Sequence, residues 1–230
     1  MGFPLQPNQP PLTAAQVAKQ HKLYSEISAN QAVTAWIHHL PVEGRTQIIA
    51  RFTDQNIQYL SYPYSVRSKV YEYGGGAIAA ANDGVYFVNE SDQQVYLLSA
   101  KGEVTPVTNH HQYRFGDLYF HASQQQLFAV AEAGANSQEA TSYLVRLQDG
   151  KVQVVHQGRD FYANPRLSDD GKKLCYLAWD HPYMPWDAAE LWCSEFGAEW
   201  QLLADEHVAG NADEAICQPE FIANEKLLFL

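Results

Sequence analysis

Residues Asn164–Trp192 read NPRLSDDGKKLCYLAWDHPYMPWDAAELW, and the two halves of this stretch are unlike. The first half is a turn ahead of an apolar segment. Ser168-Asp169-Asp170-Gly171 supplies residue types that favour a tight reversal, and Leu174–Trp179 has the length of one strand. This unit recurs: Pro165–Leu177 is echoed by Pro219–Leu230, PEFIANEKLLFL, with a polar turn and an apolar run in matching places. The second half does not recur. Asp180–Asp187 places two prolines, which hold a loop open and stiff, among His181, Tyr183, Trp186 and two aspartates.

Working outward, the chain is a series of short apolar or alternating segments. Ala32–Ile37, Thr46–Phe52, Gly76–Ala81, Val85–Val88, Val95–Leu98, Val104–Val107, Asp117–Phe120, Leu127–Ala131, Tyr143–Leu147 and Val152–His156 precede Leu174–Trp179. Leu191–Ser194, Gln201–Leu203 and Leu227–Leu230 follow it. Asn82-Asp83-Gly84, Ala100-Lys101-Gly102 and Gln148-Asp149-Gly150 punctuate the series, with glycine accepting the positive φ that hairpin turns require. Second strands of the repeating unit start at Val33, Val85, Leu127, Leu174 and Leu228, in steps of 52, 42, 47 and 54 residues, and each step holds about four strands. That period belongs to the blades of a β-propeller.

The fold expected is therefore all-β: an incomplete β-propeller of four-stranded antiparallel blades, about four blades plus the start of another, over residues 26–230. The chain stops inside a strand, so this propeller is expected to end before closure. Residues 1–25 should be a proline-rich extended segment followed by a short helix, which the Thr13–Gln16 capping box opens and which ends near Lys22.

Composition narrows the function. Apolar residues at 46% and aromatics at 13% describe a folded, sheet-rich chain. Fifteen basic residues against 26 acidic ones leave a net charge of −11, which repels a phosphate backbone, so nucleic acid is excluded as a partner. The N-terminus lacks a signal sequence and no apolar run reaches membrane-spanning length, so a cytoplasmic location away from the membrane is expected. Cys175, Cys193 and Cys217 form no C-x-x-C pair and are expected as buried free thiols. The pairs His38-His39 and His110-His111 would point to opposite faces of a strand and could not share an ion. No metal site and no cofactor is expected.

Gly74-Gly75-Gly76-Ala77-Ile78-Ala79 fits the dinucleotide-binding pattern in form, but Asn82-Asp83-Gly84 arrives too soon for the helix that pattern opens. The glycines read as a strand entry where backbones pass closely. No G-x-S-x-G nucleophile elbow exists, and no catalytic residue is assigned. Glu72 is either an anionic recognition group for a cationic ligand or a solvated carboxylate. The Asp180–Asp187 loop either binds a ligand or docks a domain, or covers the blade edge with Met184 and Trp186.

Three segments carry a resemblance: RSKVYEYGGG at Arg67–Gly76, DFYANPRLS at Asp160–Ser168, and above all WDHPYMPWD at Trp179–Asp187 with Glu190-Leu191-Trp192. From about Pro11 to Leu230 the chain resembles the N-terminal propeller of prolyl oligopeptidase-family serine peptidases, nearest the acylaminoacyl-peptidase and dipeptidyl-aminopeptidase-like branch. The resemblance implies a non-catalytic, substrate-gating propeller that works with a C-terminal α/β-hydrolase domain absent from this chain. That domain carries Ser, Asp and His and acts on short peptides. The resemblance also implies that Glu72, Tyr73, His181, Tyr183, Trp186 and Asp187 face the substrate chamber or the hydrolase domain. Two residues depart from the family pattern: Tyr71, expected on a strand, stands where His is more usual, and Asp169 where Pro is common. The rival reading is a non-enzymatic, TolB-like or WD40-like interaction propeller.

Overall fold

The computed structural model of the chain describes residues 13–14, 23–134, 140–197, 200–223 and 226–230. The proline-rich segment and nearly all of the expected capped helix lie outside them. The first blade comprises β1 (Leu23–Ala29), β2 (Val33–Leu40), β3 (Arg45–Phe52) and β4 (Ile57–Tyr59), and the second β5 (Ile78–Ala80), β6 (Gly84–Val88), β7 (Val95–Ser99) and β8 (Val104–Pro106). The third comprises β9 (Tyr113–His121), β10 (Gln126–Ala133), β11 (Thr141–Gln148) and β12 (Lys151–Gln157), and the fourth β13 (Phe161–Leu167), β14 (Lys173–Trp179), β15 (Glu190–Phe196) and β16 (Leu202–Ala209). Strands β17 (Glu220–Ala223) and β18 (Lys226–Leu228) pair as a fifth sheet. Neighbouring strands are antiparallel and follow chain order in each sheet, and the first strands of successive sheets lie against one another.

Four strands were not anticipated from sequence: β1, β4, β13 and β17. β4 is only three residues long, and β13 carries Pro165 at its centre, which normally argues against a strand. Bulges explain this tolerance. In β1, β9 and β13 the pairing slips at Glu26, at Asp117-Leu118 and at Asn164-Pro165, so Pro165 sits where the ladder is already interrupted. Glu26, Asp117 and Asn164 take positive φ of 41°, 48° and 48°, as do Gly76 and Gln218 at 56° and 52°, two residues before β5 and β17. One left-handed residue thus marks each inner strand. These residues tie neighbouring blades together: Glu26 Oε2 accepts the Ala77 N–H at 2.6 Å, Gly76 O accepts Leu118 N–H at 2.8 Å, and Asp117 Oδ2 accepts Asn164 N–H at 2.6 Å.

The core lies between the sheets. Ile48 and Ala50 of the first blade pack with Val85 and Phe87 of the second, and Phe128 and Leu144 of the third with Tyr162 and Tyr176 of the fourth. Burying each Ile, Val, Leu or Phe side chain among them stabilises by about 1.5–3 kcal/mol. Burial alternates along β2 and is continuous through Leu127–Glu132 in β10, because the third sheet is covered on both faces. The cysteines follow their strands. Cys175 is buried, which pushes its thiol pKa far up, and Cys193 is half-buried; Cys217 is exposed, contrary to the expectation, because it precedes the short β17.

Candidate functional site

Between β4 and β5 the chain does not take the shortest path. Residues 66–76 cross one face of the propeller over the second and third blades and reach the fourth. Arg67 N–H donates to Val88 O at 3.1 Å, Lys69 N–H to Gln93 Oε1 at 2.7 Å, and the Ser68 hydroxyl to Phe115 O at 2.8 Å. The glycines then bring the chain back. A Cβ on Gly74 would lie 2.2 Å from Ser68 O, and one on Gly76 2.3 Å from Asp117 Cα, both at positive φ, so close backbone passage accounts for both residues.

Tyr71 anchors the crossing. It lies not on a strand but at the tip of a turn, with φ +57°, a conformation costing a bulky residue roughly 1–2 kcal/mol. Its hydroxyl donates to Tyr162 O at 3.1 Å and accepts Tyr162 N–H at 2.9 Å, capturing both backbone groups of one β13 residue. Its ring meets Phe161 and Trp179 edge-on, with centroids 5.0 and 6.1 Å away, and burial pushes its phenol far up.

The second loop, residues 180–189, joins β14 to β15 and is clamped at its base by one arginine. Arg159 Nε lies 2.7 Å from Asp180 Oδ2 and Nη2 2.9 Å from Glu190 Oε2, while the guanidinium carbon sits 5.2 Å from the centre of the Trp192 ring. Asp180 also accepts the Asp160 N–H at 2.8 Å, and Asp160 accepts the His181 N–H at 2.9 Å. Within the loop a single helical turn spans Pro185–Ala188, and Asp187 Oδ2 accepts the Met184 N–H at 3.2 Å. A rigid base thereby presents exposed apolar side chains: Trp186 is 69% exposed, with Tyr183 and Met184 beside it in sequence. Trp186 does not cover the blade edge.

The six residues singled out from sequence lie on these two loops, in different circumstances. Tyr73 is 56% exposed and shares a cavity of about 260 Å³ with Pro185, Asp117, Asn164 and Trp179. Burial, with Asp117 and Glu132 nearby, pushes its phenol pKa up. Glu72 is exposed but paired: its Oε1 lies 2.6 Å from Arg114 Nη1. The His181 ring packs edge-on against Phe161, 4.9 Å between centroids, and lines a separate cleft. Asp187 is committed to the helical turn that carries Trp186. Arg114, Arg159 and Tyr71 are the supports that sequence reading missed. Arg159 stands immediately before the DFYANPRLS segment, which is the one signal that pointed at it.

The arrangement is suited to binding. Ser25 Oγ and His39 Nε2 lie 2.7 Å apart across β1 and β2, an exposed contact without a carboxylate against the imidazole among the described residues. Among those residues no group of three or more His, Cys, Asp or Glu is placed to hold a metal ion, and no helix is long and apolar enough to cross a membrane.

No family model and no curated protein sequence matches the chain. Solved structures do. The chain superposes on a puromycin-hydrolysing peptidase of Mycobacterium tuberculosis with a TM-score of 0.83 at 24% identity, over 95% of this chain and 37% of the peptidase. For a puromycin hydrolase the TM-score is 0.82 at 25% identity, over 96% of this chain and 37% of that one. TolB from Acinetobacter baumannii shares the fold alone, with a TM-score of 0.57 at 13% identity over 88% of this chain and 47% of TolB. The chain thus spans 37% of the length of the peptidases it matches and is similar to the propeller portion of prolyl oligopeptidase-family enzymes.

Proposed function

We propose that this chain is the substrate-gating propeller of a cytoplasmic serine peptidase that hydrolyses short peptides, and that its partner is a C-terminal α/β-hydrolase domain. The observation that carries this reading is the superposition on puromycin hydrolase over 96% of the chain at 25% identity. On this reading the propeller part runs from β1, whose first residue Leu23 lies three residues ahead of the expected boundary at residue 26, to Leu230. On this reading the face built by the two loops looks onto the substrate chamber or the hydrolase domain. Tyr73, Tyr183 and Trp186 are exposed aromatic rings on supports fixed by Tyr71 and Arg159, an arrangement suited to interfaces because rigid rings lose little entropy on contact. Glu72 and His181 border them, and Asp187 shapes the turn that presents Trp186. Catalysis belongs to the hydrolase domain: its serine attacks the peptide carbonyl, its histidine takes the proton, and its aspartate orients the histidine. The propeller decides which chains reach that serine.

The test compares the 230-residue chain with the complete reading frame that contains it. With a serine-directed phosphonate, the longer protein is expected to label and to cleave a short fluorogenic peptide, and the chain alone to do neither. A longer protein that neither labels nor cleaves supports the TolB-like interaction platform instead. Stoichiometric labelling of the isolated chain sinks both readings.

A further inference from the structure

Two of the three cysteines face each other. Cys175 of β14 and Cys193 of β15 are directly opposite in the ladder, so their side chains leave the same face of the fourth sheet. They enter the seam between that sheet and the β17–β18 hairpin, beside Leu177, Leu191, Ile216 and Phe221. Register decides how close the two thiols come. Ser168 N–H donates to Lys173 O at 2.9 Å, so Lys173 turns its backbone groups towards β13, and Cys175, two residues on, does the same. On the other side Phe196 N–H donates to Lys172 O at 2.8 Å. The alternation then gives Leu174 and Tyr176 the backbone bonds to β15 and leaves Cys175 and Cys193 as a pair without them.

In a pair of this kind the Cα atoms lie about 4.5 Å apart and the side chains are at their closest, within the span of about 4.4–6.8 Å that a disulfide bridges. We propose that Cys175 and Cys193 form a redox-closable staple, open as two thiols in this structure and closed by a small-molecule disulfide such as oxidised glutathione. Half-buried Cys193 is the entry point, because Cys175 has no exposed surface. The Cys193 thiolate attacks one sulfur of the oxidant, forming a mixed disulfide and expelling a thiolate that takes up the Cys193 proton. The Cys175 thiolate then attacks the Cys193 sulfur, closing the bond and expelling the second thiolate, which takes up the Cys175 proton. Two protein thiols are oxidised and one small disulfide is reduced to two thiols. Burial pushes both protein thiols up, so closure is slow at neutral pH and quickens towards the ordinary thiol value of about 8.5. The closed staple bridges the hairpin that carries residues 180–189 and so pins the base of the loop that presents Trp186.

The test uses the 230-residue chain as Cys217→Ser, which removes the exposed third thiol and leaves the facing pair. The chain is incubated with oxidised glutathione at about pH 8.5 without denaturant, and a portion is then cleaved with cyanogen bromide. Met184 is one of two methionines and stands between the cysteines, so cleavage there separates them. Both thiols are expected to disappear from a product that keeps the mass of one copy and carries no glutathione. The fragments on either side of Met184 should stay joined until dithiothreitol is added. The oxidised chain should unfold at a higher urea concentration than the reduced one, because the cross-link restricts the unfolded chain. Thiols that persist, glutathione that remains attached, or fragments that part without reductant overturn the proposal. So does a urea midpoint that is unchanged or lower after oxidation, since a bond formed only in unfolded molecules would not strengthen the native hairpin. Thiols, fragments and unfolding are read directly, so the result is independent of any peptidase activity.

Discussion

The turn at Ser168–Lys173 and the crossing at residues 66–76 both connect one strand to the next, and they are held in opposite ways. In the turn the bonds that close the reversal are local, and Gln124 of the third blade adds one from outside, donating from Nε2 to Asp169 O at 3.0 Å. Ser168 N–H donates to Lys173 O at 2.9 Å, Lys173 N–H to Ser168 Oγ at 2.9 Å, Gly171 N–H to Ser168 O at 2.8 Å, and the Ser168 hydroxyl to Asp170 Oδ1 at 2.8 Å. In the crossing, Lys69, Ser68 and Tyr71 find partners 24, 47 and 91 residues away. A locally satisfied turn can be used again in any blade. A connection that depends on three assembled blades exists once, and it carries the candidate site.

Breaking the long-range anchor should cost most. Tyr71→Ala removes a packed ring and strands both backbone groups of Tyr162, so a loss of about 3–5 kcal/mol is expected, read as a lower midpoint in urea unfolding. A loss under about 1 kcal/mol would mean that the crossing is not anchored there. Gly76→Ala comes next: its Cβ would sit 2.3 Å from Asp117 Cα at φ +56°, and at least about 2 kcal/mol should be lost, measurable by the same titration. The local turn is worth less. Ser168→Ala should cost about 1 kcal/mol and add to the Tyr71→Ala loss in the double variant, since the two share no partner; marked non-additivity would break the distinction between local and long-range control.

Two smaller effects sharpen the comparison. Burial pushes the Glu26 carboxyl above its ordinary range, with Asp117 adding repulsion. A raised folded-state pKa means stability that is present in acid and fades as pH rises from about 4.3, the ordinary glutamate value. Glu26→Gln keeps an acceptor for the Ala77 N–H and should gain on the parent chain as pH climbs from 4 to 7, roughly by the amount its carboxylate loses; parallel stability–pH curves would contradict this. Trp186→Ala should change stability by no more than about 0.5 kcal/mol, because the ring is largely exposed. On the proposed function the same change lowers peptide cleavage by the complete enzyme, so unaltered turnover would remove Trp186 from the interface.

The blades were legible from sequence because their determinants are local. Val33, Val85, Leu127, Leu174 and Leu228 all lie on second strands, and these strands pack between neighbouring sheets and so carry the strongest apolar runs. First strands were harder to see. They interrupt themselves with the left-handed residues Glu26, Asp117 and Asn164, whose bonds go to the next blade instead of along the strand. Tyr73, Tyr183 and Trp186, singled out from sequence as facing a chamber or a domain, are exposed rings on two loops. Their supports were not singled out, since nothing adjacent in sequence explains why Arg159 reaches both Asp180 and Glu190, or why Tyr71 meets Tyr162.

The linear sequence by itself determined the four-stranded period, the turns and the place of the Asp180–Asp187 loop, because periodicity and turn chemistry act over a few residues. Tertiary structure alone decided that Tyr73 and Pro185 share a cavity and that Glu132 keeps one buried oxygen without a donor among the described residues. Each of these depends on residues that the chain brings together only when the crossing reaches over to the fourth blade and the sheets close on one another.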